Sequence, residues 1–202
     1  PVKIITTAEG GVASTNDVLL DKQLRLLRSH GITGNKDDME ARPSKEIWNY
    51  QQVDLGFNYR MTDLQAALGS SQIKRVDEFV EKRNIIARRY NKLLDDLPLQ
   101  LPGQHPESCS SVHLYVIRVK LGETEKTQRQ VYDGLNEGNI SANLHYIPVY
   151  LHPYYEKLGF SRGYCPNAEQ YYFEAISIPV FPGLTVVEQD RVVDVLATAI
   201  GM

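Results

Sequence analysis

The chain has 202 residues, of which 42% are hydrophobic and 23% charged, and its formal net charge is −3. This composition is typical of a globular protein and gives no electrostatic reason to expect binding to nucleic acid or to a membrane surface. No apolar run approaches the ~18 residues of a membrane span, and no secretory signal is visible. Cys109 and Cys165 fall in no metal-binding or paired spacing, which predicts free thiols in a reducing cytoplasm, although a pairing in space stays open.

Lys3 lies in an apolar, β-branched run that ends in Glu9-Gly10-Gly11. Residues 2–6 and 11–15 are predicted to form two short strands joined by this turn. A lysine amine is a nucleophile only when it is deprotonated, and burial beside a strand favours the neutral form. Lys3 is therefore a candidate for a covalent link to an aldehyde cofactor; the alternative is a solvated lysine near a strand end.

A first helix is predicted from an N-cap at Asn16 to about Arg28, with Gly31 ending it. Residues 29–57 are polar and turn-rich, and residues 34–38 are expected to form a mobile tip. Thr62 and Gln65 have the spacing of a capping box. They open a long predicted helix over residues 62–97, which we interpret as the link between two domains.

The remainder of the chain alternates between strand and helix patterns. Strands are predicted at residues 112–119 and 140–144, with an extended piece at 176–179. Helices are predicted at 127–137, 167–175 and from a capping box at 185 to about 200, and a loop at 145–155. This order indicates a small α+β domain.

Two groups of polar residues are candidates for binding. Asn58 and Arg60 directly precede a helix N-terminus, where an amide and a guanidinium could bind an anion; the alternative is a turn residue and a surface charge. His145 and Tyr146 follow a predicted strand, in a loop that Pro148 stiffens, and such loops often carry binding groups. The alternative for His145 is a half-buried histidine bonded to backbone.

The C-terminal third also contains a dense run of aromatic residues. Their faces could stack on a uracil or sugar ring, whereas packing in the core or at an interface is the favoured interpretation for most of them. The run consists of Tyr150, Tyr154, Tyr155, Phe160, Tyr164, Tyr171 and Tyr172.

Three sequence blocks resemble the DegT/DnrJ/EryC1/StrS family of pyridoxal-phosphate-dependent sugar aminotransferases. They are residues 1–17, with Lys3 before Glu-Gly-Gly and a closing Thr-Asn-Asp; residues 55–69, with Asn-Tyr-Arg-Met-Thr-Asp; and residues 145–155, with His-Tyr-Ile-Pro-Val. The blocks occur in family order and span essentially the whole chain. The first and third are most similar to the branch that produces UDP-4-amino-4,6-dideoxy-N-acetyl-altrosamine for pseudaminic acid.

The resemblance implies the C-terminal half of a fold-type-I pyridoxal-phosphate transferase, of mixed α/β and α+β class. It implies a remnant of the large cofactor-binding domain at residues 1–61, a linking helix at 62–97 and a small α+β domain at 98–202. The implied reaction transfers an amino group from glutamate to C4 of a UDP-4-keto-6-deoxy sugar, in a cytoplasmic homodimer with shared active sites.

The resemblance also implies roles for individual residues. Lys3 would bind the cofactor, pyridoxal 5′-phosphate, and act as the catalytic residue. Asn58 would reach the cofactor phosphate of the neighbouring subunit, while Arg60, His145 and Tyr146 would border the sugar-nucleotide pocket. No metal is implied.

In this family, the N-terminal half of the protein, which precedes the lysine, provides the residue that stacks on the pyridoxal ring. The same half provides the aspartate that pairs with the ring nitrogen. We therefore expect the 202 residues alone to be inactive. Two alternatives remain open. One is a sugar 3-dehydratase of the same family, which carries histidine where Lys3 stands; the other is a non-catalytic module that retains the dimer surface.

Overall fold

The computed structural model describes residues 3–43, 47 and 49–202. Within it the chain divides into two compact units, Pro1–Lys74 and Arg75–Met202. No helix in these described ranges is both long and apolar enough to cross a membrane.

The first helix of the first unit is α1, Val18–Leu27. Its N-cap is Asp17, whose carboxylate accepts hydrogen bonds from the backbone amides of Leu19 and Leu20. The predicted cap at Asn16 is therefore wrong by one residue. Gly31 ends the helix as predicted: its amide bonds Leu26 O, and its φ is +69°. A Cβ at this position would lie 1.9 Å from the carbonyl oxygen of Asp54, so only glycine fits.

The turn-rich segment after α1 is partly ordered by a short hairpin. Strands β1, Ile32–Thr33, and β2, Gln51–Gln52, pair antiparallel. The predicted mobile tip instead contains a 3₁₀ turn, Lys36–Asp38, because the Asn35 side chain accepts a hydrogen bond from the Asp37 amide and caps it.

The two strands predicted near the start of the chain do not form. Residues 3–17 contain no strand, and residue 2 lies outside the described residues. A strand needs a neighbour to satisfy its backbone groups. In this unit a side chain does so instead: the Gln72 amide donates to Thr6 O at 2.8 Å and accepts from the Thr6 amide at 3.2 Å.

The predicted long helix is two helices. Helix α2, Asp63–Ile73, opens with the predicted capping box of Thr62, and helix α3, Val76–Leu93, follows after a break at Lys74 and Arg75. Helix α2 buries no residue, whereas α3 packs on the core of the second unit, so the two helices belong to different units. No proline or glycine marks the break, and the apolar spacing therefore did not predict it.

The second unit is built on a three-stranded antiparallel sheet. Its strands are β3, Leu99–Gln100; β4, Tyr115–Val119; and β5, Ala175–Ile178, in the order β3-β4-β5. The prediction of a strand within 112–119 and of an extended piece at 176–179 is confirmed. The strand predicted at 140–144 is wrong, because only Asn143 reaches the sheet, through a single bridge to Ser177 of β5.

Helices surround this sheet. They are α4, Gln128–Glu137; α5, Pro153–Glu156; α6, Pro166–Glu174; and α7, Val186–Ile200. Helices α4 and α7 open with capping boxes and, with α6, confirm the predicted helices. The loop predicted at 145–155 instead contains α5 and a 3₁₀ turn, Val149–Leu151, since Pro153 occupies the first helical position, where a fixed φ favours a helix.

The core of the second unit is apolar and nearly closed to solvent. Alternate residues of β4 are buried, as are all four residues of β5. The largest fully buried side chains come from the sheet and from α3, α4 and α7: Tyr90, Tyr115, Leu94, Ile117, Leu135, Ile176, Leu196, Val119 and Val131.

Candidate active site

Lys3 is exposed and lies in a bend rather than beside a strand. The expectation that Lys3 is buried beside a strand is therefore wrong, because its segment pairs with no strand among the described residues. The Thr6–Gln72 hydrogen bonds fix the backbone three residues further on. The Lys3 amine is thus held on an anchored segment and is open to a ligand.

Asn58 lies on a turn fixed against the end of α1. An isolated bridge joins Asn58 to Ser29, and hydrogen bonds run from the Tyr59 amide to Arg28 O at 2.9 Å and from the His30 amide to Phe57 O at 2.8 Å. The backbone around Asn58 is therefore well defined. Its side chain is exposed and bonds no other residue in the described part of the chain.

Arg60 follows on the same turn, two residues before the N-cap of α2. Its side chain is exposed and, like that of Asn58, makes no ion pair or hydrogen bond with any described residue. An amide and a guanidinium left free on one turn can both donate to an anionic group.

Two of these side chains suit the two ends of pyridoxal 5′-phosphate: the Lys3 amine can bind an aldehyde, and the Asn58 amide can donate to phosphate oxygens. The Arg60 guanidinium can bind a phosphate group of a substrate. The first unit thus provides groups of the right chemistry, although no described contact joins the three side chains to one another. The second unit provides the remaining predicted residues, His145 and Tyr146.

His145 is half-buried, and its one polar partner among the described residues is the Ser177 hydroxyl, which lies 2.5 Å from its Nδ1. Burial lowers the pKa of the His145 imidazole below its ordinary value, so the neutral ring is favoured near pH 7. The alternative interpretation, a half-buried histidine bonded to backbone, is confirmed in its burial and wrong in its partner, which is a side chain. Tyr146 packs edge-on against this ring, with centroids 4.4 Å apart, and is 70% exposed.

His145 lines a surface pocket of about 330 Å³ beside the ends of β4 and β5. Polar and apolar groups share the lining: His113, Leu114, Ser141, Asn143, His145, Ser177, Ile178, Pro179, Val180 and Phe181. Its volume is at the lower end of small-ligand sites, which suits one ring of a larger molecule.

The aromatic run forms a connected surface layer next to this loop. Tyr155 contacts Tyr154 and Phe160, and Tyr164 contacts Phe160 and Tyr150, with centroids between 5.0 and 6.4 Å apart. These rings contact one another edge-on at the surface, and none of them is buried, so packing in the core is wrong for them. Packing at an interface stays a prediction.

Glu169 ties this aromatic layer to α6. It accepts hydrogen bonds from the Tyr150 hydroxyl at 2.7 Å and from the Gly163 amide at 2.6 Å. The pKa of the Glu169 carboxyl is lowered mainly by the hydrogen bond from Tyr150 and secondly by the one from the Gly163 amide. The pKa of Tyr150 is raised mainly by desolvation and secondly by its hydrogen bond to Glu169. The ionised carboxylate therefore holds the 158–165 segment against α6.

Sequence reasoning missed three residues that fix segments near candidate residues: Gln72 in the first unit, and Glu169 and Ser177 in the second. Each acts through a contact with a residue distant in sequence, up to 66 positions for Gln72 and Thr6. The only available signal was a polar residue among apolar ones, as for Ser177 between Ile176 and Ile178.

The chain matches the model of the DegT/DnrJ/EryC1/StrS aminotransferase family over residues 1–197. It is 35% identical over 198 residues to the UDP-4-amino-4,6-dideoxy-N-acetyl-beta-L-altrosamine transaminase of Campylobacter jejuni, covering 97% of this chain and 49% of that enzyme. The chain spans about half the length of the curated relatives it matches.

Solved structures of similar proteins have the same fold. Helicobacter pylori PseC, an aminotransferase of pseudoaminic acid biosynthesis, superposes with a TM-score of 0.80 at 29% identity, covering 98% of this chain and 51% of PseC. The sugar aminotransferase Spr1654 of Streptococcus pneumoniae in its PLP form also gives 0.80, at 28% identity, covering 98% of this chain and 49% of that one.

The predicted fold class is thereby confirmed: the mixed helices and sheet are part of the fold of these transferases. The predicted cofactor is confirmed at the level of the family, whose aminotransferases use pyridoxal 5′-phosphate. This chain belongs to the DegT/DnrJ/EryC1/StrS aminotransferase family.

Proposed function

We propose that the chain is the C-terminal half of a pyridoxal-phosphate-dependent sugar aminotransferase. In this proposal the full-length protein transfers an amino group from glutamate to C4 of a UDP-4-keto-6-deoxy sugar. The observation that carries the proposal is the match to a named transaminase of such a sugar over 97% of the chain, with an exposed lysine on the anchored first segment.

Lys3 is the proposed catalytic residue. Its amine would bind the cofactor aldehyde and, once released, would carry a proton to or from C4 of the sugar. Pyridoxal phosphate, when bound, would supply the electron sink for this chemistry. The Lys3 side chain is exposed, so its amine is accessible to a ligand.

Asn58 is the proposed phosphate ligand, acting on the cofactor of a second subunit. Its exposed amide, on a turn fixed against α1, supports a role toward a partner rather than within its own unit. Arg60 on the same turn contributes a positive charge toward the substrate phosphates. The proposal therefore requires a homodimer with shared active sites.

His145 and Tyr146 are the proposed contacts of the sugar nucleotide in the second unit. The pocket beside His145 is largely apolar, but the polar side chains of Ser141 and Asn143 in its lining could bond sugar hydroxyls. The Tyr146 ring is exposed enough to stack on a base or sugar. We also propose a cytoplasmic location, since both cysteines are free thiols.

Amination of a UDP-4-keto-6-deoxy sugar by the full-length protein, with glutamate and pyridoxal phosphate, tests the proposal. The expected products are the 4-amino sugar and 2-oxoglutarate in equal amounts. Loss of the C3 hydroxyl without formation of a 4-amino sugar would indicate the dehydratase alternative, against which Lys3 argues. Neither product, from protein with intact fold, would support the non-catalytic module.

A further inference from the structure

Ser177 is held in place by its backbone on both sides. The Ser177 amide donates to the Asn143 carbonyl oxygen at 2.8 Å, and the Asn143 amide donates to the Ser177 carbonyl oxygen at 3.1 Å. Ser177 also pairs with Val116 across the β4–β5 ladder. The residue is only 5% exposed. Its hydroxyl, 2.5 Å from His145 Nδ1, therefore has little freedom to turn elsewhere.

The proton in this contact has one favourable arrangement. Within the described residues, the Ser177 hydroxyl has no acceptor other than His145 Nδ1. If Nδ1 carried the imidazole proton, the buried hydroxyl would lose its only acceptor, which is costly. The hydroxyl therefore donates to Nδ1, and the neutral ring carries its own proton on Nε2.

The other ring nitrogen is left for a ligand. Nδ1 is occupied by Ser177, Nε2 bonds no described residue, and His145 lines the 330 Å³ pocket. The lowered pKa of His145 agrees with a neutral ring, which acts as a hydrogen-bond donor rather than a cation or a base. The Ser141 and Asn143 side chains, which also line the pocket, add polar groups that suit an oxygen-rich ligand.

We propose that Ser177 is a positioning residue that holds His145 as an Nε2–H donor, and that this N–H binds an oxygen atom of the sugar nucleotide. The ligand half of the inference rests on the proposed function. The tautomer half depends only on the contact between Ser177 and His145, so the two halves are tested separately.

The tautomer of His145 is measured by NMR, from the chemical shifts of the ring nitrogens in protein with ¹⁵N-labelled histidine. The signal that disappears in His145→Gln is assigned to His145. We expect Nε2 protonated and Nδ1 unprotonated at neutral pH, with both tautomers in Ser177→Ala and the single one restored in Ser177→Thr. Ser141→Ala, in the same pocket, should leave the tautomer unchanged. Protonated Nδ1 in the unmodified protein, or an equal effect of Ser141→Ala and Ser177→Ala, would overturn the inference.

The ligand half is read from the kinetics of the full-length enzyme with the UDP-4-keto sugar. Loss of one hydrogen bond of about 1.4 kcal/mol corresponds to about tenfold in KM, so His145→Phe should raise KM about tenfold with little change in kcat. His145→Gln places an amide N–H near the Nε2 position and should recover most of this loss. Ser177→Ala should raise KM about threefold, and Ser177→Thr should restore it.

Equal losses of kcat in His145→Gln and His145→Phe would identify a base rather than a donor and would overturn the ligand half. An unmodified enzyme that aminates no UDP-4-keto sugar would overturn the proposed function and this choice of ligand together. In that case the tautomer is still judged by the NMR result alone.

Discussion

The side chain of Gln72 and the backbone of Thr6 form a closed pair of hydrogen bonds between α2 and the segment that carries Lys3. The Gln72 amide donates to Thr6 O at 2.8 Å, and the Thr6 amide donates to Gln72 Oε1 at 3.2 Å. A neighbouring strand would present the same donor and acceptor. One glutamine thus replaces strand pairing at Thr6, three residues from the candidate catalytic lysine.

Gln72→Ala should loosen the segment around Lys3 without unfolding the second unit. Loss of both hydrogen bonds removes about 1–3 kcal/mol of local stability. Hydrogen exchange of the Thr6 amide should therefore become about tenfold faster or more, while exchange in β4 stays unchanged. Gln23→Ala, an exposed position in α1, is the control, and equal exchange at Thr6 in both variants would contradict the role of Gln72.

Arg83 should contribute strongly to the stability of the second unit. It is 7% exposed, and its Nη1 donates to three carbonyl oxygens, those of Val112, His113 and Val180, at 2.9 to 3.2 Å. Desolvation lowers the pKa of this guanidinium. Arg83→Met leaves these carbonyls unpaired and should lower the free energy of unfolding by about 2–4 kcal/mol.

The matched control for Arg83 is Arg88→Met on the same helix, since Arg88 is exposed and, among the described residues, pairs with Glu81 alone. Chemical denaturation of both variants provides the comparison, and the change expected for Arg88→Met is below about 1 kcal/mol. Similar losses in the two variants would show that the carbonyl contacts of Arg83 contribute little.

The stability of the second unit should depend on the protonation of His145. Burial lowers its folded pKa below the unfolded value, so the unfolded state binds more protons in the interval between the two pKa values. The contribution of the neutral ring is full above the unfolded pKa, near 6.5, and is lost as the pH falls through the folded pKa.

Denaturation midpoints check this expectation. They are measured for the unmodified protein and for His145→Gln between about pH 7.5 and about pH 5, a range that spans the unfolded pKa of about 6.5. The difference between the two proteins should change with pH, because only the unmodified one contains the titrating ring. A difference that is constant with pH would mean that the His145 pKa is not lowered.

Asn58 is expected to act on the active site of a second subunit. Full-length Lys3→Ala and Asn58→Ala proteins are each expected to be nearly inactive, whereas mixed dimers contain one site with both residues intact. Subunit exchange should therefore restore a fraction of the amination rate. Mixing Lys3→Ala with the double variant Lys3→Ala/Asn58→Ala is the control, and no gain over it after verified exchange would place Asn58 within its own subunit.

Local sequence signals predicted the parts of the fold that depend on neighbouring residues. The capping boxes predicted at Thr62 and Thr185 are formed by residues three positions apart, and both are present. The helix predicted at 127–137 is also present, and the structure adds a capping box at Thr127. The β4 strand follows from its alternating apolar pattern. His145 and Tyr146 lie on the same loop simply because they are consecutive in the sequence.

The remaining features depend on contacts that no local pattern contains. The Ser177–His145 hydrogen bond spans 32 residues, and the interruption at Lys74 and Arg75 reflects which unit each helix packs into. The exposure of Lys3 could not be read from its apolar neighbours, because a β-branched run is buried only when another strand covers it.

Borohydride reduction of the full-length protein with pyridoxal phosphate tests the role of Lys3 most directly. We predict that the cofactor becomes permanently attached to the peptide containing Lys3, as read by mass spectrometry, and that Lys3→Ala loses both this attachment and the visible absorbance of the bound cofactor. Lys36→Ala, which removes another exposed lysine of the first unit, should retain both. A cofactor link that survives in Lys3→Ala would contradict the assignment of Lys3 and with it the proposed mechanism.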